Sequence, residues 1–185
     1  MRFLVRVMPA KVSREEALSS VKTISKAFGV DPRNPKWTSY GALELDVFAS
    51  TRADFELFLS ALDPMVGTEF VRDLNVAPPF KPEAELLAEA RDLFNAERYW
   101  ECHEVLEGIW RTKRGEDKLL LQGIILVCAA FVHHQKGEDR VALGVLERAR
   151  RQLGYPERRY GGFDLERLRK DVGESLARGL SNFRV

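Results

Sequence analysis

Three prolines within eight residues, Asn75-Val-Ala-Pro-Pro-Phe-Lys-Pro82, constrain this chain more than any other feature. Proline fixes φ, gives up its backbone N–H and clashes with a helix in progress, so the stretch continues neither a strand nor a helix interior. It reads as an extended connector, and the sequence on its two sides obeys different periods. Before it, strand-like alternation and helical spacing take turns; after it, the spacing is helical throughout. The expectation is a small α+β domain over residues 1–74, a Pro-rich linker over 75–82 and an all-α helical bundle over 83–185.

In the first part, Phe3, Val5 and Val7 alternate with Arg2 and Arg6, the period of a half-buried strand. Ser13 with Glu16 forms a capping box and opens a helix carrying Ala17, Leu18, Val21, Ile24 and Phe28, with Gly29 as its stop. Leu43, Leu45 and Val47 alternate with Glu44 and Asp46 in a second strand. Thr51 with Asp54 starts a second helix bearing Phe55, Phe58, Leu59 and Leu62, and Pro64 is expected to end it. Val66–Leu74 then reads as a closing strand. A short strand at Lys36–Tyr40 would complete the order βαββαβ, a ferredoxin-like split βαβ unit.

Beyond Pro82 the spacing predicts five helices: one carrying Leu86, Leu87, Ala90 and Leu93, then Tyr99–Arg111, Asp117–Gln135 and Asp139–Leu153, and a last one capped by Asp164 and running to about Arg178. The apolar run Leu119–Val132 is shorter than the roughly 20 residues that cross a bilayer, so it predicts a buried central helix and no membrane association. Met1–Pro9 has no apolar leader pattern, which points to a cytoplasmic protein. Cys102 and Cys128 lack CxxC spacing and read as reduced thiols.

The 29 basic and 28 acidic side chains leave a net charge of +1, so no global field favours nucleic acid. Arg148, Arg150, Arg151, Arg158 and Arg159 read as a solvated face. Phosphate-cradling glycine motifs are absent from the sequence.

One polar cluster stands out on apolar helices. With 100° per residue, His103 and Glu107 fall together beside the apolar arc of the second bundle helix, while Glu101 and Glu104 point towards solvent. In the third bundle helix, Gln122 and His133 share a stripe with Leu126 and Ala129. A buried amide and a buried imidazole without partners each cost on the order of 1–3 kcal/mol, so His103, Glu107, Gln122 and His133 are expected to meet. His134 lies beside the same helix end and competes with His133 for the inward place.

Two chemistries suit such a set. The first is a His/Glu/Gln/His network that fixes helix register in a non-enzymatic binding or interaction protein, with a small molecule or another protein as partner. The alternative is a divalent metal, zinc or non-haem iron, on His103, Glu107 and His133, serving a hydrolase or oxygenase. Metal-free acid–base work by the His–Glu pair is a third option. His103-Glu-Val-Leu-Glu107 repeats only the first half of the zincin HExxH pattern, and the paired ExxH motifs of di-iron bundles are absent. Self-association of such a bundle would pair exposed helix faces into a homodimer.

The string Leu93-Phe-Asn-Ala-Glu-Arg-Tyr-Trp-Glu-Cys-His-Glu-Val-Leu-Glu-Gly-Ile-Trp-Arg111, with Leu121-Gln-Gly-Ile-Ile, His133 and the Lys136-Gly turn, resembles the family of helical proteins known as domain of unknown function 309. The resemblance covers roughly residues 83–153. It implies a helical bundle and no particular activity, and it adds Trp110 to His103, Glu107, Gln122 and His133 as candidate functional residues.

Overall fold

The computed structural model describes residues 1–154 and 159–185. They form two compact units, Met1–Pro79 and Phe80–Val185, and the division falls inside the proline-rich stretch.

The first unit runs β1 (Arg2–Val7), α1 (Arg14–Ala27), β2 (Asp31–Trp37), β3 (Leu43–Phe48), α2 (Arg52–Val66) and β4 (Thr68–Asp73). Its four strands form one sheet in the order β2-β3-β1-β4 with every neighbour antiparallel. Both expected capping boxes are present, at Ser13 with Glu16 and at Thr51 with Asp54. One sheet face, carrying Phe3, Val5, Val7, Leu43, Leu45 and Val47, shares a core with Ala17 and Val21 of α1 and Phe55, Phe58, Leu62 and Val66 of α2. The rings of Phe3 and Phe55 stack with centroids 3.7 Å apart.

Three local expectations for this unit need correction. The added strand lies at Asp31–Trp37 and not at Lys36–Tyr40. Pro32 and Pro35 fit there because β2 is an edge strand with one neighbour, and the register shifts between Arg33 and Lys36, where Asn34 takes φ 52°. Thr38 to Gly41 turn the chain instead: Gly41 N–H donates to Thr38 O at 3.2 Å and Thr38 N–H to Ala42 O at 2.9 Å. Helix α2 passes through Pro64 to Val66. A proline so close to the end forfeits one helical bond only, and Gly67, at φ 66°, closes the helix by donating to Asp63 O.

The third correction concerns the polar side of the sheet, which the alternation assigned to solvent. Arg6, Lys36, Glu44 and Asp46 are all buried. Strand register explains how. Lys36 and Arg6 lie directly opposite Glu44 on its two flanks, and both reach the same carboxylate, Lys36 Nζ at 2.5 Å and Arg6 Nη2 at 2.8 Å. Arg6 Nη1 also donates to the Tyr40 hydroxyl at 2.6 Å. Asp46 accepts two bonds from Arg2, at 2.8 and 2.7 Å. The charges are tolerated because each is answered across the ladder.

The second unit contains α3 (Glu83–Asn95), α4 (Tyr99–Trp110), α5 (Gly115–Gln135), α6 (Asp139–Gln152), a two-stranded hairpin of β5 (Arg159–Tyr160) and β6 (Phe163–Asp164), and α7 (Leu165–Arg178). All five expected bundle helices form. Asp164 caps α7 by accepting from Arg167 N–H. Helix α5 contributes Leu120, Leu121, Ile124, Val127, Cys128 and Phe131 to one core with α3, α4, α6 and α7. At Gly123 a Cβ would stand 2.7 Å from Leu153 Cδ2, so only glycine lets α5 come this close to the end of α6. Cys102 and Cys128 are buried free thiols with sulfurs 3.3 Å apart, and burial, then the bond to Cys128, pushes the Cys102 thiol well above its ordinary range. Among the described residues, no helix is long and apolar enough to cross a membrane.

Candidate functional site

Three contacts set the relative height of α4 and α5. Cys102 meets Cys128, the Tyr99 ring lies on Phe131 with centroids 4.9 Å apart, and Gln135 Nε2 donates to Glu97 O at 2.9 Å. The helices are antiparallel, so each step along α4 answers one step back along α5. On this ladder Glu107 stands level with Gln122 and Gly123, and His103 with Leu126 and Val127. His133 stands level with the residues before α4, about 9 Å along the axis from His103 at 1.5 Å per residue.

The α4 side of the site is the row His103, Glu107 and Trp110, at helical spacing and all half-buried. Glu104 joins it: ligand atoms of His103, Glu104 and Glu107 lie within 4.8 Å of one another. His103 Nδ1 is 3.6 Å from Glu104 Oε1, too long for a hydrogen bond, and it is sealed from solvent with no partner. Trp110 Nε1 is likewise sealed and unpartnered, while Lys118 Nζ sits 4.0 Å over the Trp110 ring. Glu107 accepts from Arg111 at 3.2 Å.

On α5, Gln122, Leu126, Ala129 and His133 are all half-buried, as their shared stripe requires. The structure brings His103 and Glu107 together, sets Gln122 at their level, and holds His133 elsewhere. His133 Nδ1 lies 2.5 Å from Glu138 Oε2, and His134 Nδ1 lies 2.6 Å from Asp139 Oδ1. The bond from His133 holds the Glu138 carboxyl below its ordinary range. Neither histidine is the inward residue of this helix end. Gln135 is, through its bond to Glu97 O.

A further placement differs from the helical wheel. Glu101 does not face solvent. It is buried and accepts from Arg98 Nε and Nη2 at 2.6 and 2.7 Å. A wheel assumes one wet side, whereas α4 has an arginine just before its first turn that follows the carboxylate inwards. Arg148, Arg150, Arg151 and Arg159 are exposed, as a solvated face requires; Arg158 lies outside the described residues.

Fold and site together define a class: a helical-bundle unit, preceded by an α/β unit, with a half-exposed polar seam between two neighbouring helices. The chain belongs to the family described as Domain of unknown function (DUF309), whose model matches residues 87–145, from α3 into α6 and across the whole seam. It is similar to the crystal structure of the conserved hypothetical protein TTHA0068 from Thermus thermophilus, at 35% identity over 53% of this chain and 99% of that one, with a TM-score of 0.44. No curated protein matches the chain.

Proposed function

We propose that the helical unit is a non-enzymatic binding module and that it recognises its ligand along the α4–α5 seam. The observation that carries this reading is the pair of unspent groups on α4, His103 Nδ1 and Trp110 Nε1. Each carries a cost on the order of 1–3 kcal/mol while it lacks a partner. They stand two helical turns apart, roughly 10 Å, with Glu107 between them and Gln122 at its level. A ligand that offers an acceptor to the indole N–H and a polar group to the imidazole would remove both costs at once.

The indole N–H resonance of Trp110 is the direct readout, and a library of acceptor-bearing small molecules (carboxylates, phosphates and amides) is the probe. Binding at the seam shifts that resonance and is lost in Trp110→Phe with the fold intact. An indole that no compound moves, and that exchanges freely with water, rejects the proposal.

A second reading rests on the closeness of His103, Glu104 and Glu107. One imidazole and two carboxylates suit zinc or non-haem iron, with Glu104 in the place expected for His133 and open positions left for water or substrate. It supports a metal-dependent hydrolase or oxygenase. Stoichiometric metal in the purified protein, lost in His103→Ala, would favour it over the binding module.

For the α/β unit we propose a ferredoxin-like fold. Its support is the element order βαββαβ, both helices on one sheet face, and a sheet that reads β4-β1-β3-β2 from its other edge.

A further inference from the structure

After α7 the chain continues from Gly179 to Val185 without regular structure. Beyond the bond from Gly179 N–H to Ser175 O, no backbone–backbone hydrogen bond holds this segment among the described residues. It is held by side chains of three helices. Asn95, the last residue of α3, grips one residue's backbone from both sides: Val185 N–H donates to Asn95 Oδ1 at 2.9 Å, and Asn95 Nδ2 donates to Val185 O at 3.1 Å. The Tyr99 hydroxyl of α4 donates to Asn182 Oδ1 at 3.0 Å. The Phe183 ring enters an aromatic corner, 5.7 Å from Phe94 of α3 and 5.1 Å edge-on from Phe131 of α5. Leu180 and Val185 pack against the same core, and Ser181 and Arg184 stay exposed.

The chemistry of this grip is that of a receptor for an extended peptide. An amide that pairs with a backbone N–H and C=O is indifferent to the side chain it holds. An aromatic corner selects one residue, and outward positions are left unread. We infer that the groove of α3, α4 and α5 is a peptide-binding site for an extended segment carrying an aromatic residue two positions before the clamped one, and that Leu180–Val185 occupies it in cis. The site lies on the other side of α4 from the His103–Trp110 row and does not depend on the reading of the seam. Tethering sets the competition, because a segment joined to its own groove acts at an effective concentration of about 1 mM. A free peptide therefore reaches the groove once the anchor of the resident segment is weakened.

The test uses the full chain and a fluorescent, amidated peptide, Leu-Ser-Asn-Phe-Arg-Val, read by anisotropy. Phe183→Ala is expected to bind it at least about tenfold more tightly than the unaltered chain, and adding Asn95→Ala to remove that gain. The same peptide with Ala for Phe is expected not to bind. A folded Phe183→Ala chain with no saturable binding up to about 1 mM peptide overturns the proposal. A dimer of the unaltered chain that exchanges this segment between copies also overturns it, since the occupant would then be a second copy. Should Phe183→Ala not fold, the unaltered chain serves: excess peptide must speed amide exchange at Val185, and unchanged protection overturns the inference.

Discussion

In the α/β unit, the Glu44 carboxylate receives Arg6 and Lys36 at once. In the helical unit, His103 Nδ1 and Trp110 Nε1 are as well sealed from water and meet nothing. Both units thus carry polar groups in buried places, but one set is closed and the other open. A closed set is part of the fold, and breaking it exposes an unanswered charge. An open set weakens the free protein, and only a second molecule offsets that cost. The difference separates polar residues that hold a structure from those available to recognise something.

The largest effect should come from opening the closed set. Glu44→Ala leaves Arg6 and Lys36 facing each other in a buried place and should cost about 3–5 kcal/mol in chemical denaturation. A loss under about 1 kcal/mol would mean that water already answers these charges, and the contrast would collapse. Next comes Glu101→Ala in the helical unit, where Arg98 keeps 27% of its side chain exposed and can turn outwards. The expected loss is smaller, about 1–3 kcal/mol.

Trp110→Phe should change stability by no more than about 0.5 kcal/mol, since it removes a donor that makes no bond. A loss above about 1.5 kcal/mol would show that the indole N–H has a structural partner and would move it to the closed class.

The smallest effect belongs to Glu138, whose carboxyl His133 holds below its ordinary range. A lowered value means the folded chain binds this proton less tightly than the unfolded one. The contribution is therefore present above the unfolded value and lost as pH falls through the folded value. The thermal midpoints of the unaltered chain and Glu138→Gln should differ slightly near neutrality and converge in acid; a gap that persists in acid would assign it to something other than this carboxylate.

Much of the architecture was legible. Alternation in β1 and β3, the capping boxes at Ser13 and Thr51, and the helical spacing after Pro82 each act locally, and the elements lie where those signals put them. Misplacements arose where a neighbour decides. Proline counted against a strand at 31–35 because nothing in the sequence says that β2 is an edge. Arg6 and Glu44 looked solvent-facing because alternation reports which side a residue takes and not whether that side is covered. The site was half legible for a related reason. A helical wheel gives angle, and it correctly gathered Gln122, Leu126, Ala129 and His133 on one stripe. It gives no height. Height follows from Cys102 meeting Cys128 and Tyr99 meeting Phe131, and it separates His133 from His103. The open state of Trp110 Nε1 had no sequence signal.

The adjacent sulfurs of Cys102 and Cys128 carry a practical consequence. Electrophiles attack thiolates, and a thiol sealed among apolar side chains with its proton held tightly offers almost none. Alkylation must wait until α4 and α5 part, so the rate at which a reagent such as iodoacetamide consumes these cysteines becomes a clock on the opening of the bundle. No probe has to be introduced, and the same clock reads how far an occupant of the seam or the groove steadies the helices.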